Sequence, residues 1–215
     1  MQTIYLGEDC KQILHLCKRD KRLAKVIKMV GPITYSVSNK DPYVFLLHEI
    51  IEQMLSIKAG TKIFGRLEDL CEGAITPDKV NKLTDEQIKC IGTSNSKVLS
   101  IRNLTNKIIS GELNLYELNK SSDEIITKSL LSLRGIGNWT VKMYLLFILD
   151  RQDILPYEDA AFLQSYCWMY KTNDKAKESI IKKCQKWKPY SSIAARYLYR
   201  ALDMGLTKEE FHLFK

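Results

Sequence analysis

The 215-residue chain is poor in the residues and runs that non-helical, membrane or secreted proteins use. It contains only five prolines and ten glycines, too few for the many tight turns of an all-β architecture or for long disordered linkers. No run of about eighteen apolar residues occurs, so we expect no transmembrane helix. The N-terminus lacks the basic-then-apolar order of a signal peptide, and we therefore expect an intracellular, cytoplasmic protein with no membrane partner.

Cysteine and histidine are present, but not in metal-binding patterns. No C-x-x-C pair occurs, and the three histidines are scattered along the chain. Zinc sites and iron–sulfur clusters use closely spaced thiolates or imidazoles, so we expect neither. A disulfide framework is also not expected in a cytosolic chain of this size, and the thiols are predicted to be buried or idle. The cysteines stand at positions 10, 17, 71, 90, 167 and 184.

Positive charge is in excess. The chain has 33 lysines and arginines against 25 acidic residues, which gives a formal charge of +8 and a pI near 9.1. A basic chain favours polyanionic partners because each phosphate contact releases counterions. Many lysine-rich proteins bind no polyanion, however, so charge alone leaves a nucleic-acid partner open.

Apolar residues recur at helical spacing along most of the chain, and the alternation typical of strands is convincing nowhere. Lys21–Val30 is a clear example, ended by Gly31. Thr76-Pro77 is a predicted N-cap with a first-turn proline, and Thr84 with Gln87 forms a predicted capping box. We predict an all-α fold of about ten helices. Further predicted helices cover 45–57 with an apolar face continuing to Leu67, 96–109, 125–133, 139–149, 159–170, 175–187, 191–203 and 207–214.

The segment LRGIGNWT, residues 133–140, forms a short apolar turn between two helix-like runs. The glycines permit unusual backbone angles and let a phosphate approach the chain closely. The first N–H groups of the following helix carry partial positive charge and have no partner within the helix. Ile136 is predicted to point inward and lock the turn. A plain turn between two helices remains the alternative.

Polar breaks at 37–42 and 150–159 divide the predicted helices into two domains. Residues 43–149 form a central helical domain that ends in the hairpin at about 125–149. Residues 1–42 together with 150–215 form the second helical domain. The turn at 135–137 and Asp159 would then line the cleft between the two domains.

Four stretches in a fixed order resemble the helix-hairpin-helix (HhH-GPD) superfamily of DNA glycosylases, and within it 3-methyladenine DNA glycosylase II and its relatives. The likeness spans about residues 20–203. It implies an all-α, two-lobed fold with a helix-hairpin-helix motif at the cleft. The stretches are EQMLSIKA at 52–59, Ile91-Gly92 with Ser96-Lys97, LRGIGNWT at 133–140, and WKPYSSIAARYLYR at 187–200.

The resemblance places the catalytic aspartate of the family on Asp159, in LPYED. When an N-glycosidic bond breaks, C1′ gains oxocarbenium character, which a nearby carboxylate stabilises while it positions or deprotonates the attacking water. Asp159 also precedes a predicted helix, so a simple N-cap is the alternative interpretation. Glu158 is the neighbouring carboxylate that competes for the role.

The residue at the start of the second hairpin helix distinguishes two reaction types. Family members that also cut the strand have a lysine there, which attacks C1′ and forms a Schiff base. This chain has Trp139, and Lys142 lies on another face of the predicted helix. The resemblance therefore implies a monofunctional glycosylase that uses water and leaves an abasic site.

The resemblance also assigns a base pocket to aromatic and apolar residues, because electron-poor alkylated purines stack on π faces. Trp139 could equally be a core residue, Met143 replaces a pocket aromatic, and Ala160-Ala161 depart from the commoner family sequence. Tyr157 and Tyr166 are candidates to compensate. The predicted pocket residues are Trp139, Met143, Tyr199 and Tyr157.

Further residues are assigned to DNA contacts. Met54, after Gln53, matches the wedge that fills the gap left by a flipped base, with a core methionine as the alternative. Lysines 182, 183, 186 and 188 are interpreted as a solvated face. The predicted phosphate and DNA contacts are Gly135, Ile136, Gly137, Asn138, Thr140, Arg134, Lys97 and Lys58.

These patterns together predict a base excision repair enzyme that flips out and hydrolytically removes alkylated purines such as 3-methyladenine and 7-methylguanine. The alternatives are the same fold acting on deaminated or oxidised bases, and a non-catalytic DNA-binding protein. The expected partner is double-stranded DNA with damaged bases, and the chain is expected to be a monomer. No cofactor is required, although the family often holds a sodium or potassium ion on hairpin carbonyls, here those of Leu131, Leu133 and Ile136.

Overall fold

The computed structural model describes residues 3–37 and 40–214, with the backbone alone at Ile57. Most of these residues are helical, which confirms the predicted class, and short 3-10 segments follow helices at Gln185–Trp187 and Leu206–Lys208. The α-helices are α1 Lys11–Arg19, α2 Lys21–Val30, α3 Pro42–Glu52, α4 Ile57–Leu70, α5 Pro77–Lys82, α6 Asp85–Cys90, α7 Asn95–Ile109, α8 Leu115–Leu118, α9 Asp123–Leu131, α10 Asn138–Met143, α11 Ala160–Tyr170, α12 Lys177–Cys184 and α13 Ser191–Asp203.

A small sheet corrects the expectation that the chain contains no strands. Strand β1, Thr3–Leu6, pairs antiparallel with β2, Ile33–Ser36, in the register Thr3↔Ser36 to Leu6↔Ile33. Each strand has four residues, too few for alternation to stand out from the surrounding pattern. Helices α1 and α2 separate the two strands in the sequence, so no hairpin turn indicates that the strands pair.

The chain divides into two compact units. The first unit combines Met1–Ser38 with Leu145–Lys215, and the second is Asn39–Tyr144. The sequence analysis placed these boundaries at 42/43 and 149/150, a few residues further along the chain. The first unit has its own apolar core, in which the large side chains of Trp187, Phe162 and Tyr166 are fully buried.

Several predicted helix ends are confirmed. Gly31, with φ of 75°, ends α2, and its N–H donates to the Ile27 carbonyl. The Thr84 hydroxyl accepts from the Gln87 N–H while the Gln87 side chain accepts from the Thr84 N–H, which completes the capping box before α6. The Thr76 hydroxyl accepts from the Lys79 N–H and so caps the start of α5. These local signals succeed because side-chain oxygens satisfy the first N–H groups of a helix.

Three helix predictions need correction. The helix predicted at 45–57 ends at Glu52, because Met54 adopts a left-handed φ of 59° and Ser56 caps α4 separately. The helix predicted at 139–149 leaves α-geometry at Tyr144, where a π-helical turn, Tyr144–Ile148, begins. The helix predicted at 207–214 is absent from the described residues there, since Phe211 packs against Trp168 at 5.1 Å and the Trp168 indole donates to the Glu209 carbonyl.

Candidate functional site

The two glycines of the hairpin turn serve different purposes. Gly135 has a φ of 79°, and a Cβ added there would lie 2.5 Å from the Ser100 hydroxyl oxygen. Both the backbone angle and the packing therefore require glycine. Gly137 has an ordinary φ of −108°, and a Cβ there would meet no atom within 4 Å. The backbone beside Gly137 is thus open to close approach from outside.

The turn is fixed by contacts from α7 and from the segment after α3. Ile136 is 6% exposed, as its predicted inward orientation requires, and its N–H donates to the Leu133 carbonyl at 3.2 Å. The Asn103 side chain accepts from the Arg134 N–H at 3.0 Å. The Gln53 amide donates to the Gly135 carbonyl at 2.8 Å. The hairpin turn is therefore a rigid feature of its unit.

The segment between α3 and α4 presents an exposed apolar tip. Met54 is 101% exposed, which excludes the alternative that it is a core residue. Gln53, also predicted for the wedge, is held to the hairpin by the hydrogen bond given above. The Lys97 ammonium donates to the carbonyls of Ile51 and Gln53 at 2.7 and 2.8 Å. Burial lowers the pKa of Lys97.

The remaining predicted DNA contacts differ in how accessible they are. Lys58, Arg134 and Asn138 are exposed. Thr140 is 1% exposed, so a contact through its side chain is ruled out; its backbone N–H is one of the first in α10. Lys97 has two of its donors engaged within the protein, which makes it a support of the α3–α4 segment. Its contact with a phosphate remains a prediction.

Two predicted pocket residues lie on α10 in the second unit. Trp139 is partly buried, and Met143 is 5% exposed. The π-helical turn begins directly after Met143. Such turns are rare and often occur at functional sites. Met143 lies in the apolar core. Its apolar thioether can therefore stand where the family has an aromatic ring without burying a polar group.

Asp159 forms the N-cap of α11, which is the alternative interpretation that the sequence analysis gave for this residue. Its carboxylate oxygen Oδ1 accepts from the Phe162 N–H at 2.8 Å. The preceding turn is closed by the Asp159 N–H, which donates to the Pro156 carbonyl at 2.9 Å. Asp159 is nevertheless partly exposed, so the cap orients the carboxylate without enclosing it. The helix dipole favours the ionised carboxylate at this position.

Tyr199, on α13, lies near the Asp159 carboxylate within the same unit. Burial raises the pKa of the Tyr199 hydroxyl above its usual value, and the Asp159 charge raises it further. The hydroxyl oxygen is buried but meets the geometry of a hydrogen bond with no described group. The structure therefore brings two of the predicted site residues, Asp159 and Tyr199, together.

The other tyrosines considered for the pocket have different surroundings. Tyr157 is partly buried, and the Lys177 ammonium lies 5.4 Å from its ring centre. Tyr166 is fully buried in the core of the first unit, with its ring 5.0 Å from that of Tyr170. Tyr166 is consequently a core residue in this structure and does not compensate at a surface pocket.

The sequence analysis did not predict a cluster of side chains beside Tyr199, formed by Arg196, Tyr35 and Phe147. The Arg196 guanidinium lies 4.0 Å from the Tyr35 ring centre and 5.3 Å from that of Phe147. It donates to the Leu146 carbonyl and to Asp150, each at 2.8 Å. The signal in the sequence was Arg196 itself, a charged residue among the apolar residues of the fourth stretch.

A cavity of about 570 Å³ lies beside this cluster, entirely within the first unit. The ring of Phe147 is 6.1 Å from that of Tyr199, at an angle of 37°. Strand β2, which the sequence analysis did not predict, supplies one wall through Tyr35. The aromatic lining has both a flat apolar face and, at Arg196, a charge paired with Asp150.

The described residues contain neither a metal-binding cluster nor a membrane-spanning helix. Residues 3–37 and 40–214 contain no cluster of three or more histidine, cysteine or acidic side chains suited to a metal ion. No described helix is long and apolar enough to cross a bilayer. The six cysteines are free thiols. At the hairpin, the Leu133 carbonyl accepts one hydrogen bond, from Ile136, and so retains a second lone pair.

Comparison with known proteins gives consistent matches. Residues 47–189 match the family described as HhH-GPD superfamily base excision DNA repair protein. DNA-3-methyladenine glycosylase 1 of Schizosaccharomyces pombe is 28% identical over 201 residues, which cover 91% of this chain and 88% of that relative.

Solved structures agree over nearly the whole fold. The DNA-3-methyladenine glycosidase of Bacillus halodurans superposes with a TM-score of 0.85 at 29% identity, covering 98% of this chain and 97% of the other. The 3-methyladenine DNA glycosylase of Schizosaccharomyces pombe, in complex with abasic DNA, gives a TM-score of 0.81 at 28% identity, covering 90% and 97%.

Proposed function

The chain belongs to the HhH-GPD superfamily of base excision DNA repair proteins, and we propose that it is a monofunctional DNA glycosylase. In this proposal it binds duplex DNA as a monomer, removes alkylated purines of the 3-methyladenine and 7-methylguanine type, and leaves an abasic site. The relatives named as 3-methyladenine glycosylases support the substrate class. The observation that carries the proposal is the oriented, partly exposed carboxylate of Asp159.

Asp159 acts on the sugar in this mechanism. The C1′–N bond breaks and its electron pair leaves with the base, while C1′ gains positive charge that the carboxylate stabilises. A water oxygen then bonds to C1′, and Asp159 accepts its proton. An alkylated purine carries positive charge and leaves as a neutral base, so the departure requires no general acid.

The hairpin binds the DNA backbone in this proposal. Gly137 leaves space beside the chain, and the exposed Arg134 and Asn138 flank it. The first N–H groups of α10 follow directly and favour an anionic ligand. Contacts of this kind hold a phosphate without reading a base. The exposed Met54 is then available to fill the gap in the base stack.

The absence of a catalytic lysine from the start of α10 supports hydrolysis over strand cleavage. Trp139 has no amine with which to form a Schiff base. We also propose that the chemistry uses no cofactor. A sodium or potassium ion on the carbonyls of Leu131, Leu133 and Ile136 would then have only a structural part in the hairpin.

The test measures base release from a duplex that carries one 7-methylguanine or 3-methyladenine, with EDTA present. Asp159→Asn keeps an N-cap side chain and should slow single-turnover release by at least about 100-fold. Glu158→Gln, a change in the adjacent exposed carboxylate, is the matched control and should stay within roughly threefold of wild type.

Three results would contradict the proposal in whole or in part. Equal release by wild type and Asp159→Asn would remove the aspartate mechanism. Strand scission together with borohydride trapping of the enzyme on oxidised DNA would indicate lyase chemistry in place of hydrolysis. Wild-type activity confined to deaminated or oxidised bases would replace the substrate class while leaving the family unchanged.

A further inference from the structure

The Tyr199 hydroxyl is a buried polar group whose role the mechanism above does not explain. The hydroxyl oxygen is shielded from solvent and meets no hydrogen-bond geometry with the described groups. Leaving such a group unsatisfied is costly, because its lost hydrogen bonds to water are not replaced. Buried unsatisfied groups in native proteins are rare and call for an explanation.

The packing of two helices places Tyr199 close to the helix that Asp159 caps. Helices α11 and α13 lie against each other, and the Ser165 hydroxyl of α11 donates to the Leu198 carbonyl of α13 at 2.9 Å. Asp159 caps the start of α11, and Tyr199 follows Leu198. The two side chains interact electrostatically, which raises the pKa of Tyr199 beyond the effect of burial. The phenol therefore stays protonated and can act as a donor.

The Tyr199 ring is also held in place. Phe147 packs beside it at 6.1 Å. Phe147 in turn is covered by the Arg196 guanidinium, which is anchored on the Leu146 carbonyl and on Asp150. A fixed ring leaves rotation of the hydroxyl hydrogen and small shifts of the ring as the remaining freedom. The hydroxyl can thus close onto the carboxylate without repacking the helix.

We propose that the Tyr199 hydroxyl donates a hydrogen bond to the Asp159 carboxylate when the enzyme is bound to its substrate, as a second support beside the Phe162 N–H. Tyr199 is then a positioning residue that acts through Asp159. Hydrogen bonds from a hydroxyl to an ionised carboxylate are short and about twice as strong as neutral ones. This inference rests on the proposed function and adds a residue to its site.

The test compares two phenylalanine substitutions on the same helix. Tyr199→Phe removes the unsatisfied hydroxyl and keeps the ring, so it should leave the melting temperature unchanged or raise it. It should slow single-turnover base release by about tenfold, with DNA affinity within roughly twofold of wild type. The control, Tyr197→Phe, removes a hydroxyl that donates to the Leu6 carbonyl at 3.3 Å, and it should lose stability but keep the wild-type release rate.

The outcomes separate the two proposals. A wild-type release rate in Tyr199→Phe, beside a slow Asp159→Asn, overturns the role of the hydroxyl and leaves the proposed function standing. A slow Tyr199→Phe that also melts earlier and binds DNA weakly indicates packing alone and overturns the role as well. Absence of release by the wild-type enzyme overturns the proposed function and, with it, this inference.

Discussion

Two aspartates in the same unit cap helices in the same way, yet their surroundings differ. Asp20 accepts from the N–H groups of Arg22 and Leu23 at the start of α2, and Asp159 accepts from the Phe162 N–H at the start of α11. Asp20 is 2% exposed, whereas Asp159 is partly exposed. The cap alone does not distinguish a structural carboxylate from a reactive one.

The difference lies in how fully the carboxylate is enclosed. Asp20 also accepts from the Trp187 indole at 2.9 Å and from the Tyr170 hydroxyl, and the Lys186 ammonium lies at 3.1 Å. The protein itself thus supplies both charge balance and donors. Asp159 keeps part of its surface for solvent or a ligand. An N-cap aspartate that stays open is therefore the better candidate for chemistry.

The largest expected effect tests the enclosed member of the pair. Asp20→Ala leaves buried donors without an acceptor and removes the cap of α2, so it should reduce the free energy of unfolding by about 3 kcal/mol. Asp9→Ala, at an exposed position, is the control and should change it by less than about 0.5 kcal/mol. Urea denaturation measures both. A small effect in Asp20→Ala would mean that enclosure does not separate the two aspartates.

The same contrast between filled and open positions occurs in the hairpin turn. Gly135→Ala forces a Cβ toward the Ser100 hydroxyl at a positive φ, and it should cost about 2 kcal/mol of unfolding free energy. Gly137→Ala adds a methyl group in open space and should leave stability within about 0.5 kcal/mol.

For DNA affinity, the order of the two hairpin variants should be the opposite of their order for stability, with Gly137→Ala the more damaging. Gly137→Ala is expected to weaken binding to an abasic duplex by roughly three- to tenfold, because the methyl group occupies the space for a phosphate. Fluorescence anisotropy at fixed salt measures the affinity. Wild-type affinity in Gly137→Ala would show that the open backbone is not where DNA approaches.

The smallest expected effect is the pH dependence that Asp20 contributes. Burial raises the pKa of Asp20, but hydrogen bonds from Tyr170 and Trp187 and the Lys186 charge outweigh it, so the pKa in the folded protein lies below its usual value. The resulting stabilisation is present above the unfolded pKa of about 3.9 and is lost as pH falls through the folded pKa. Unfolding free energies of wild type and Asp20→Asn should therefore converge in acid. A constant difference between pH 7 and pH 3 would contradict this assignment.

Local signals in the sequence predicted helix starts and ends well. Capping by Thr84 and Gln87 and termination of α2 at Gly31 depend on groups within a few residues, so the pattern contains the whole cause. The inward side chain of Ile136 was predicted for the same reason. The resemblance to the superfamily supplied what local signals lack, namely the expectation that Asp159 and Tyr199 share a site.

Features set by distant contacts were not predictable. Strands β1 and β2 pair across two helices, and the segment after Lys208 is held non-helical by contacts of Trp168 with Glu209 and Phe211. Met143 is buried and Thr140 is enclosed because of packing that spacing does not encode. Arg196 was overlooked because its partners, Tyr35 and Asp150, lie far from it in sequence.

The α3–α4 segment has a mechanical consequence for an encounter with DNA. Lys97 holds the backbone at Ile51 and Gln53, and Gln53 holds the carbonyl of Gly135. The protruding thioether of Met54 and the glycine turn therefore belong to one stiff frame. Because this part of the protein is already ordered before it contacts DNA, it loses little conformational entropy on binding. In the proposed function, a DNA backbone bound at the turn would fix where along the duplex Met54 enters the base stack.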